Sequence, residues 1–299
     1  GAIAMLVSSL FSDKAVKISF IVTAVLTLGC FIATMVLMTQ YYGDIAEYYP
    51  SANLVGMIVS AVVFMVIMVA AWFVGDKRKM SDTRSIVYGA ISIALSFALS
   101  YAKLFKLPQG GSVTFASLLP LMIYCCMFGT RRGLIVCTIY GVLQALQDPF
   151  IIHPMQFLLD YPLAFGLIGV SGIFMEKGLF KDKKVVAFLL GGVLAVVLRY
   201  ACHVCSGVFA FADYADLDKY DTAIAYSMAY NSFAFVDMLI ALVAGSTLFA
   251  SKSFSALMQK SSDVNAAPQV KAEQPTDDEE LDEIDKQIIE NQENQNNNQ

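Results

Sequence analysis

The sequence is poor in charged residues, and the charges it has lie mostly outside long apolar runs. Asp, Glu, Lys and Arg make up 15% of the 299 residues, whereas a soluble domain carries about 25%. Hydrophobic residues make up 57% of the chain. They form stretches close to the length of about 20 residues that a helix needs to cross a bilayer. The scarcity of charge therefore excludes a soluble globular protein and predicts an integral membrane protein.

The sequence also lacks residues that several kinds of chemistry require. It contains no G-x-x-x-x-G-K-[ST] motif and so no phosphate-binding loop of its own. All six cysteines lie in apolar stretches, where Cys is ordinarily a small hydrophobic residue, and no disulfide framework is expected. The string CHVC at 202–205 lacks the second pair of ligands that a zinc site needs. We expect no metal, no cofactor and no nucleic-acid partner.

Eight apolar segments are predicted to span the membrane. Two lie at about 16–38 and 53–75, and six follow at about 85–101, 116–128, 133–147, 157–175, 185–211 and 223–250. The second and third of these six are short, so they are expected to be tilted or partly re-entrant. Lys and Arg cluster before the first span, in every second loop and after the last span, with Lys103 and Lys106 as the exception. The positive-inside rule then predicts that both termini are cytoplasmic.

The apolar pattern divides the chain into three predicted parts. These are two additional transmembrane helices at 1–80, a six-helix core at 81–255 and an acidic tail at 256–299. From residue 261 onward, eleven acidic residues stand against Lys271 and Lys286. Such a segment buries too little apolar surface to fold alone, so we predict a disordered cytoplasmic tail.

Ionisable side chains inside membrane spans are costly and are therefore candidates for function. Arg199 and His203 lie one helical turn apart on the same face of one span. Asp237, in the last span, is expected to form a structural ion pair with Arg199. Asp160 lies beside Tyr161, and a carboxylate among aromatic rings is suited to an organic cation by Coulomb attraction and cation–π contact. A structural Asp with satisfied hydrogen bonds is the alternative.

Four strings in the second part of the chain resemble the thiamine-specific S component of energy-coupling factor transporters. In order along the chain they are KLPQGGSVTFASLLPLMIYCCMFGTRRG, HPMQFLLDYPLAF, RYACHVCSGVFAF and AYSMAYN, and the resemblance covers about residues 85–250. It implies an all-α integral membrane protein in which a six-helix S-component bundle follows the two additional transmembrane helices. It also implies a transporter subunit of the cell membrane, not an enzyme. Such a subunit captures thiamine at the outer face and delivers it inward with a transmembrane coupling subunit and two ATPase subunits.

The resemblance also implies the residues of the substrate site. Asp160 matches the family's acidic residue that contacts the thiazolium, and Tyr161 lies beside it. The implied site is completed by residues that match a histidine, a tryptophan, a tyrosine and an asparagine of the family, namely His203, Phe211, Tyr226 and Asn231. Gln109, Gly110 and Gly111 lie in a loop that is hypothesised to close over the site, because Gly adopts backbone angles that other residues avoid.

Two of these positions depart from the family pattern. Phe211 replaces a tryptophan, and Phe presents a weaker π face to a cation. The chain's single tryptophan, Trp72, lies in the second additional span. Asp160 replaces a glutamate that is longer by one methylene. These departures leave open whether thiamine itself, one of its phosphates or a precursor is preferred.

Ala90, Ala94 and Ala98 recur at four-residue spacing in the first span of the core. A stripe of small residues lets another helix approach closely. In the family such a stripe meets the coupling subunit, so the resemblance implies that Ala90 and Ala94 contact that partner. Ordinary packing inside the bundle is the alternative.

Other functions remain open from the sequence. One is an S component for another vitamin. A second is a self-sufficient secondary transporter of an organic cation, which would need inverted repeats, although no convincing repeat is present. A third is a membrane enzyme that uses Asp160 and His203 as acid and base, although no nucleophile motif accompanies them.

Overall fold

The structure is a computed structural model and describes residues 54–75, 83–148, 150–180, 183–215 and 219–262. The predicted span at 16–38 and the acidic tail from residue 263 lie outside these residues.

Within the described residues the architecture is a helical bundle with one short hairpin. The helices are α1 (Leu54–Val74), α2 (Thr83–Ser100), α3 (Leu119–Phe128), α4 (Thr130–Gln147), α5 (Lys184–Ala210), α6 (Ala223–Asn231), α7 (Phe233–Ala250) and α8 (Lys252–Ser262). A further helical segment, Pro154–Glu176, lies between α4 and α5. In the described part, five helices are long and apolar enough to cross a membrane: α1, α2, Pro154–Glu176, α5 and the continuous stretch of α6 and α7. The prediction of an all-α integral membrane protein is therefore confirmed.

The segment Pro154–Glu176 is not a regular α-helix, and we call it the broken span. Its consecutive pieces are Pro154–Leu158 (α), Leu159–Leu163 (π), Ala164–Gly166 (α), Leu167–Gly172 (3-10) and Ile173–Glu176 (α). Pro162 lies inside the π-helical turn, and a wider turn there is consistent with its missing N–H. Irregular backbone at membrane depth is tolerated where protein surrounds it. In agreement, 67% of the apolar window of this span is buried inside the protein.

The segment between α2 and α3, predicted as a loop, contains an antiparallel hairpin. Strand β1 (Lys103–Lys106) pairs with β2 (Ser112–Thr114), and Pro108–Gly110 forms a 3-10 turn between them. Gly110 has φ +89°, a backbone angle that favours glycine. We refer to residues 103–114 as the hairpin.

Contacts between neighbouring elements define two ends of the bundle. At the end opposite the hairpin, Arg131 Nε donates to Trp72 O over 2.6 Å, and Lys177 Nζ donates to Val74 O. Lys184 Nζ donates to Ser255 O at 3.4 Å at this end, which we call the basic end. At the hairpin end, Lys103 pairs with Asp148.

Helix α2 presents two different faces. Its buried side consists of serines and one glycine, namely Ser85, Gly89, Ser92, Ser96 and Ser100. Ala90, Ala94 and Ala98 are exposed on the outside of the described bundle. The structure therefore contradicts the alternative that this alanine stripe packs against the described helices.

The C-terminal boundary differs from the predicted one at residue 255. Helix α8 runs through this position as Lys252–Ser262 and packs on α3 and α7. Its Met258 is buried, and Phe254 contacts the ring of Phe249 edge-on. Residues 256–262 therefore belong to the folded part of the chain.

Candidate functional site

A cavity of about 110 Å³ lies at the hairpin end of the bundle. Its walls come from the hairpin, the end of α4, the broken span, α5, α6 and the start of α7. Aromatic side chains make up much of the wall: Phe150, Tyr161, Phe165, Phe211, Tyr226, Tyr230 and Phe233. Ionisable side chains also face it: Lys103, Asp148, Asp160, Arg199 and His203. The cavity thus combines carboxylates with many π faces.

The structure brings the predicted site residues together. Seven of the eight line this cavity: Gly111, Asp160, Tyr161, His203, Phe211, Tyr226 and Asn231. The eighth, Gln109, lies in the hairpin turn beside Gly110, which also lines the cavity. The structure does not describe the side chain of Gln109.

Both carboxylate oxygens of Asp160 accept hydrogen bonds. Its Oδ1 lies 2.9 Å from His203 Nδ1, and its Oδ2 accepts from Gln156 Nε2 at 2.6 Å and from Ser206 Oγ at 2.7 Å. Gln156 lies one turn before Asp160, whereas His203 and Ser206 lie one turn apart on the same face of α5. The side chain of Asp160 keeps 16% of its surface exposed. The carboxylate is therefore held in one orientation at the cavity wall.

One ring nitrogen of His203 has a hydrogen-bond partner among the described residues, and the other has none. Its Nδ1 faces Asp160, whereas the buried Nε2 has no hydrogen-bond partner among the described residues. In a neutral imidazole with the proton on Nδ1, Nε2 is an acceptor. An unpaired acceptor in a cavity wall is suited to an N–H or O–H donor on a ligand.

Asn231 joins α6 to α5 beneath the cavity. Its Nδ2 donates to His203 O at 3.1 Å and to Ser227 O at 2.9 Å. A Cβ on Gly207 would lie 2.1 Å from Ser227 Oγ, so glycine is needed for this close approach of the two helices. The bonds made by Nδ2 leave the Asn231 Oδ1 as the amide atom suited to accept from a ligand.

Arg199 and Asp237 form the predicted structural ion pair. Arg199 Nη1 lies 3.0 Å from Asp237 Oδ2, and both side chains are almost fully buried. Asp237 Oδ1 also accepts from Thr114 N at 3.0 Å and from Thr114 Oγ1 at 2.7 Å. The guanidinium carbon of Arg199 lies 4.7 Å from the ring centroid of Phe165. The pair thereby links the end of β2 to α5 and α7.

The tip of the hairpin is bonded to α6. Tyr230 Oη donates to Pro108 O and accepts from Gly111 N at 3.1 Å. Both groups lie on the turn that carries the positive φ of Gly110. These bonds hold the turn over the cavity.

The base of the hairpin is bonded to the segment after α4. The Nζ atoms of Lys103 and Lys106 lie 2.6 Å and 2.7 Å from the same oxygen, Asp148 Oδ2. Hydrogen bonds from the two ammonium groups lower the pKa of Asp148 below its ordinary value of 3.8. The hairpin is therefore anchored at its tip and at its base, and the hypothesis that it closes over the site stays a prediction.

Sequence reasoning missed several residues of the site. Gln156 and Ser206 hold Asp160, and both could have been found because they lie one helical turn from Asp160 and His203. Tyr230 immediately precedes Asn231, yet its contact with the hairpin tip joins distant parts of the chain. Phe150 and Phe233 complete the aromatic wall, and Phe150 lies 5.8 Å from Phe211 between ring centroids.

Comparisons with known proteins give one consistent result. Residues 86–257 match the family model described as thiamine transporter protein. The thiamine transporter ThiT of Bacillus subtilis (strain 168) is 34% identical over 134 residues, which cover 42% of this chain and 68% of the relative. ThiT of Lacticaseibacillus paracasei is 28% identical over 176 residues, which cover 54% and 84%, respectively.

A solved structure shows a similar fold. The structure of ThiT from Listeria monocytogenes aligns with a TM-score of 0.50 at 22% identity, covering 56% of this chain and 94% of that one.

Proposed function

The chain belongs to the thiamine transporter protein family, and from this premise we propose that it captures thiamine in the cavity beneath the hairpin. Family membership makes it a membrane transporter for thiamine uptake and not an enzyme, and it confirms the resemblance found in the sequence. We also propose its binding mode, its coupling partners and its orientation in the membrane.

The arrangement around Asp160 is the observation that carries the proposal. Thiamine bears a fixed positive charge on its thiazolium ring, which no change of pH removes. A carboxylate held at the wall of an aromatic cavity stabilises such a cation by Coulomb attraction. Phe211 and Tyr161 offer π faces, each worth about 0.5–2 kcal/mol to a cation depending on how far it is desolvated.

The polar groups on the α5 and α6 side of the cavity suit the aminopyrimidine ring. His203 Nε2 and Asn231 Oδ1 are acceptors for its exocyclic amine, and the Tyr226 hydroxyl can donate to a ring nitrogen. A ligand that leaves such a buried group unpaired loses about 1–3 kcal/mol. This cost gives the site a means of selecting thiamine over vitamins without an aminopyrimidine.

The energy for accumulation is proposed to come from partner proteins. The sequence has no phosphate-binding loop, and the exposed Ala90 and Ala94 offer a close approach to another helix. We infer that this face meets a transmembrane coupling subunit with two ATPase subunits, as in energy-coupling factor importers. The positive-inside rule assigns the basic end to the cytoplasm with both termini, so the cavity opens at the outer face.

Two measurements test this function on the full chain. Titration of the detergent-purified protein should show tight binding of thiamine, weaker binding of its pyrimidine half and no binding of riboflavin. Thiamine phosphates, titrated in the same panel, establish the preferred form. Preferential binding of riboflavin would instead indicate an S component for another vitamin.

Uptake into proteoliposomes tests the coupling. We expect thiamine to accumulate when the coupling subunit, both ATPase subunits and ATP are present. Accumulation by this chain alone would contradict the importer-subunit assignment and favour a self-sufficient secondary transporter.

A further inference from the structure

Helix α1 lies outside the region that matches the family, which begins at residue 86, yet it packs against the elements that carry the site. Its buried hydrophobic side chains, Met57, Ala61 and Phe64, are at most 5% exposed. They follow at intervals of four and three residues and therefore share one face of the helix. The neighbouring Val55, Val59 and Val62 are exposed.

The residues that α1 contacts are neighbours of the cavity wall. Ala61 and Phe64 belong to one apolar cluster with six residues of the broken span and α5, namely Leu158, Leu159, Leu163, Ala164, Leu167 and Cys202. Leu159 immediately precedes Asp160, and Cys202 immediately precedes His203. The two partners of the 2.9 Å contact at the site thus each have a neighbour that packs in this cluster.

The broken span needs neighbours of this kind because its backbone is irregular. Its π-helical turn lies at membrane depth, where backbone outside a regular helix must be covered by protein. On one side, the α4 backbone comes so close that a Cβ on Gly141 would lie 2.5 Å from Tyr161 O. Helix α1 covers the turn through Leu159 and Leu163.

Helix α1 is also fixed at both of its ends. Near the hairpin end, a Cβ on Gly56 would lie 2.3 Å from the ring of Phe209, which is two residues before the cavity residue Phe211. At the basic end, Arg131 Nε donates to Trp72 O, and its guanidinium carbon lies 5.4 Å from the Trp72 ring centroid. Cations that bond the last carbonyls of a helix stabilise its C-terminus.

We propose that α1 is part of the substrate-binding unit and that Ala61 and Phe64 are positioning residues for thiamine. The inference rests on the proposed function, since the ligand is the one assigned there. By packing on the π-helical turn and on α5, α1 sets the distance between Asp160 and His203 and hence the affinity and lifetime of the complex. Its main contacts are with α4, α5 and the broken span, so the alanine face of α2 stays available to a partner.

A matched pair of substitutions on α1 tests this inference. Ala61→Trp overfills the interface with the broken span, whereas Val62→Trp adds the same side chain at a position that is 53% exposed. In the full chain at a temperature well below unfolding, we expect Ala61→Trp to raise the dissociation constant and the dissociation rate for thiamine about tenfold. Val62→Trp should change both by less than about twofold.

A merely structural role would give a different pattern. It would lower the unfolding temperature of Ala61→Trp without changing the thiamine dissociation constant, and that result overturns the inference. So does an equal loss of affinity in Ala61→Trp and Val62→Trp. In an Asp160→Asn background the effect of Ala61→Trp should shrink, because the geometry that α1 maintains has lost its charged partner.

If Ala61→Trp does not fold, Phe64→Leu is a milder test variant. Val66→Leu is its control, since Val66 is 61% exposed. Weaker binding in Phe64→Leu alone supports the inference, and equal binding in both variants overturns it. If the wild type binds thiamine and the α1 variants bind it equally well, the role of α1 is refuted and the proposed function is left intact. A wild type that binds no thiamine refutes both.

Discussion

Asp160 and His203 face each other across the contact between the broken span and α5, with 2.9 Å between Oδ1 and Nδ1. The second carboxylate oxygen of Asp160 is held by Gln156 and Ser206. A charged group fixed in this way needs little reorganisation when a cation arrives, which favours tight binding. His203 Nε2, on the other side of the ring, has no hydrogen-bond partner among the described residues.

Gln156 should matter for affinity because it lines the cavity and holds the carboxylate of Asp160. Gln156→Leu keeps a similar volume but removes the donor to Asp160 Oδ2, and it leaves the Phe150 carbonyl without its bond from Nε2. We expect thiamine affinity measured by titration calorimetry to fall about tenfold. Gln147→Leu is the control, because the Gln147 amide forms hydrogen bonds with Ser100 and Gln144 and not with Asp160. This variant should bind thiamine as tightly as the wild type does. Equal losses in both variants would contradict a role specific to Asp160.

Tyr230 should control the exchange of ligand. Tyr230→Phe removes the hydroxyl that bonds the hairpin tip at Pro108 and Gly111. Since each such bond is worth about 0.5–1.5 kcal/mol, we expect a rise of about fivefold in the thiamine dissociation rate, measured by stopped-flow fluorescence. Tyr200→Phe loses one hydroxyl bond to a backbone carbonyl away from the hairpin and is the control. Identical rates in wild type and Tyr230→Phe would refute closure by the hairpin.

His153 should make the stability of the broken span depend on pH. Its Nδ1 accepts from Met155 N at 3.1 Å and thus caps the first turn, and burial lowers the pKa of His153 below its ordinary 6.5. The unfolded chain therefore takes up this proton first, so stability is present above pH 6.5 and is lost as the pH falls towards the folded-state value. We expect the unfolding temperature to fall between pH 7.5 and pH 5.5.

The matched variant is His153→Asn, which keeps a capping acceptor without titrating. The fall in unfolding temperature should be smaller in this variant. A fall of the same size would assign the pH dependence to other groups.

Ala94 should matter for transport but not for capture. Ala94→Trp places a large side chain on the exposed alanine face of α2, where a closely packed partner helix would clash with it. We expect ATP-driven uptake in proteoliposomes to fall to near background while thiamine affinity stays within about twofold of the wild type. Val193→Trp, at a position on α5 that is 49% exposed, should transport normally. Loss of binding in Ala94→Trp would instead indicate a role inside the bundle.

Much of this site could be predicted from the sequence because ionisable residues are rare in apolar spans, where burying a charge costs free energy. Asp160, Arg199, His203 and Asp237 each stood out in this way, and the ion pair of Arg199 with Asp237 is confirmed. The two supporting residues of Asp160 follow from helical spacing once the helices are known.

Other features depend on contacts that no local pattern encodes. The hairpin consists of strands of four and three residues, and its anchoring residues Tyr230 and Asp148 lie far away in the sequence. Gly110→Pro, a natural choice for freezing a closing loop, is unsuitable here because the residue has φ +89° and Pro requires about −65°. Helix α1 is apolar on all sides, so its sequence does not show which face packs on the broken span.

In the proposed complex Asp160 supplies the counter-charge for thiamine, and titration calorimetry of Asp160→Asn shows whether binding needs that charge. Asn keeps the size of the side chain but removes its charge, so we expect thiamine affinity to fall about a hundredfold, equivalent to roughly 3 kcal/mol. The uncharged pyrimidine half of thiamine should lose much less, because it carries no cation for Asp160 to neutralise. Equal thiamine affinities for wild type and Asp160→Asn, with both proteins folded, would show that Asp160 is not the counter-charge.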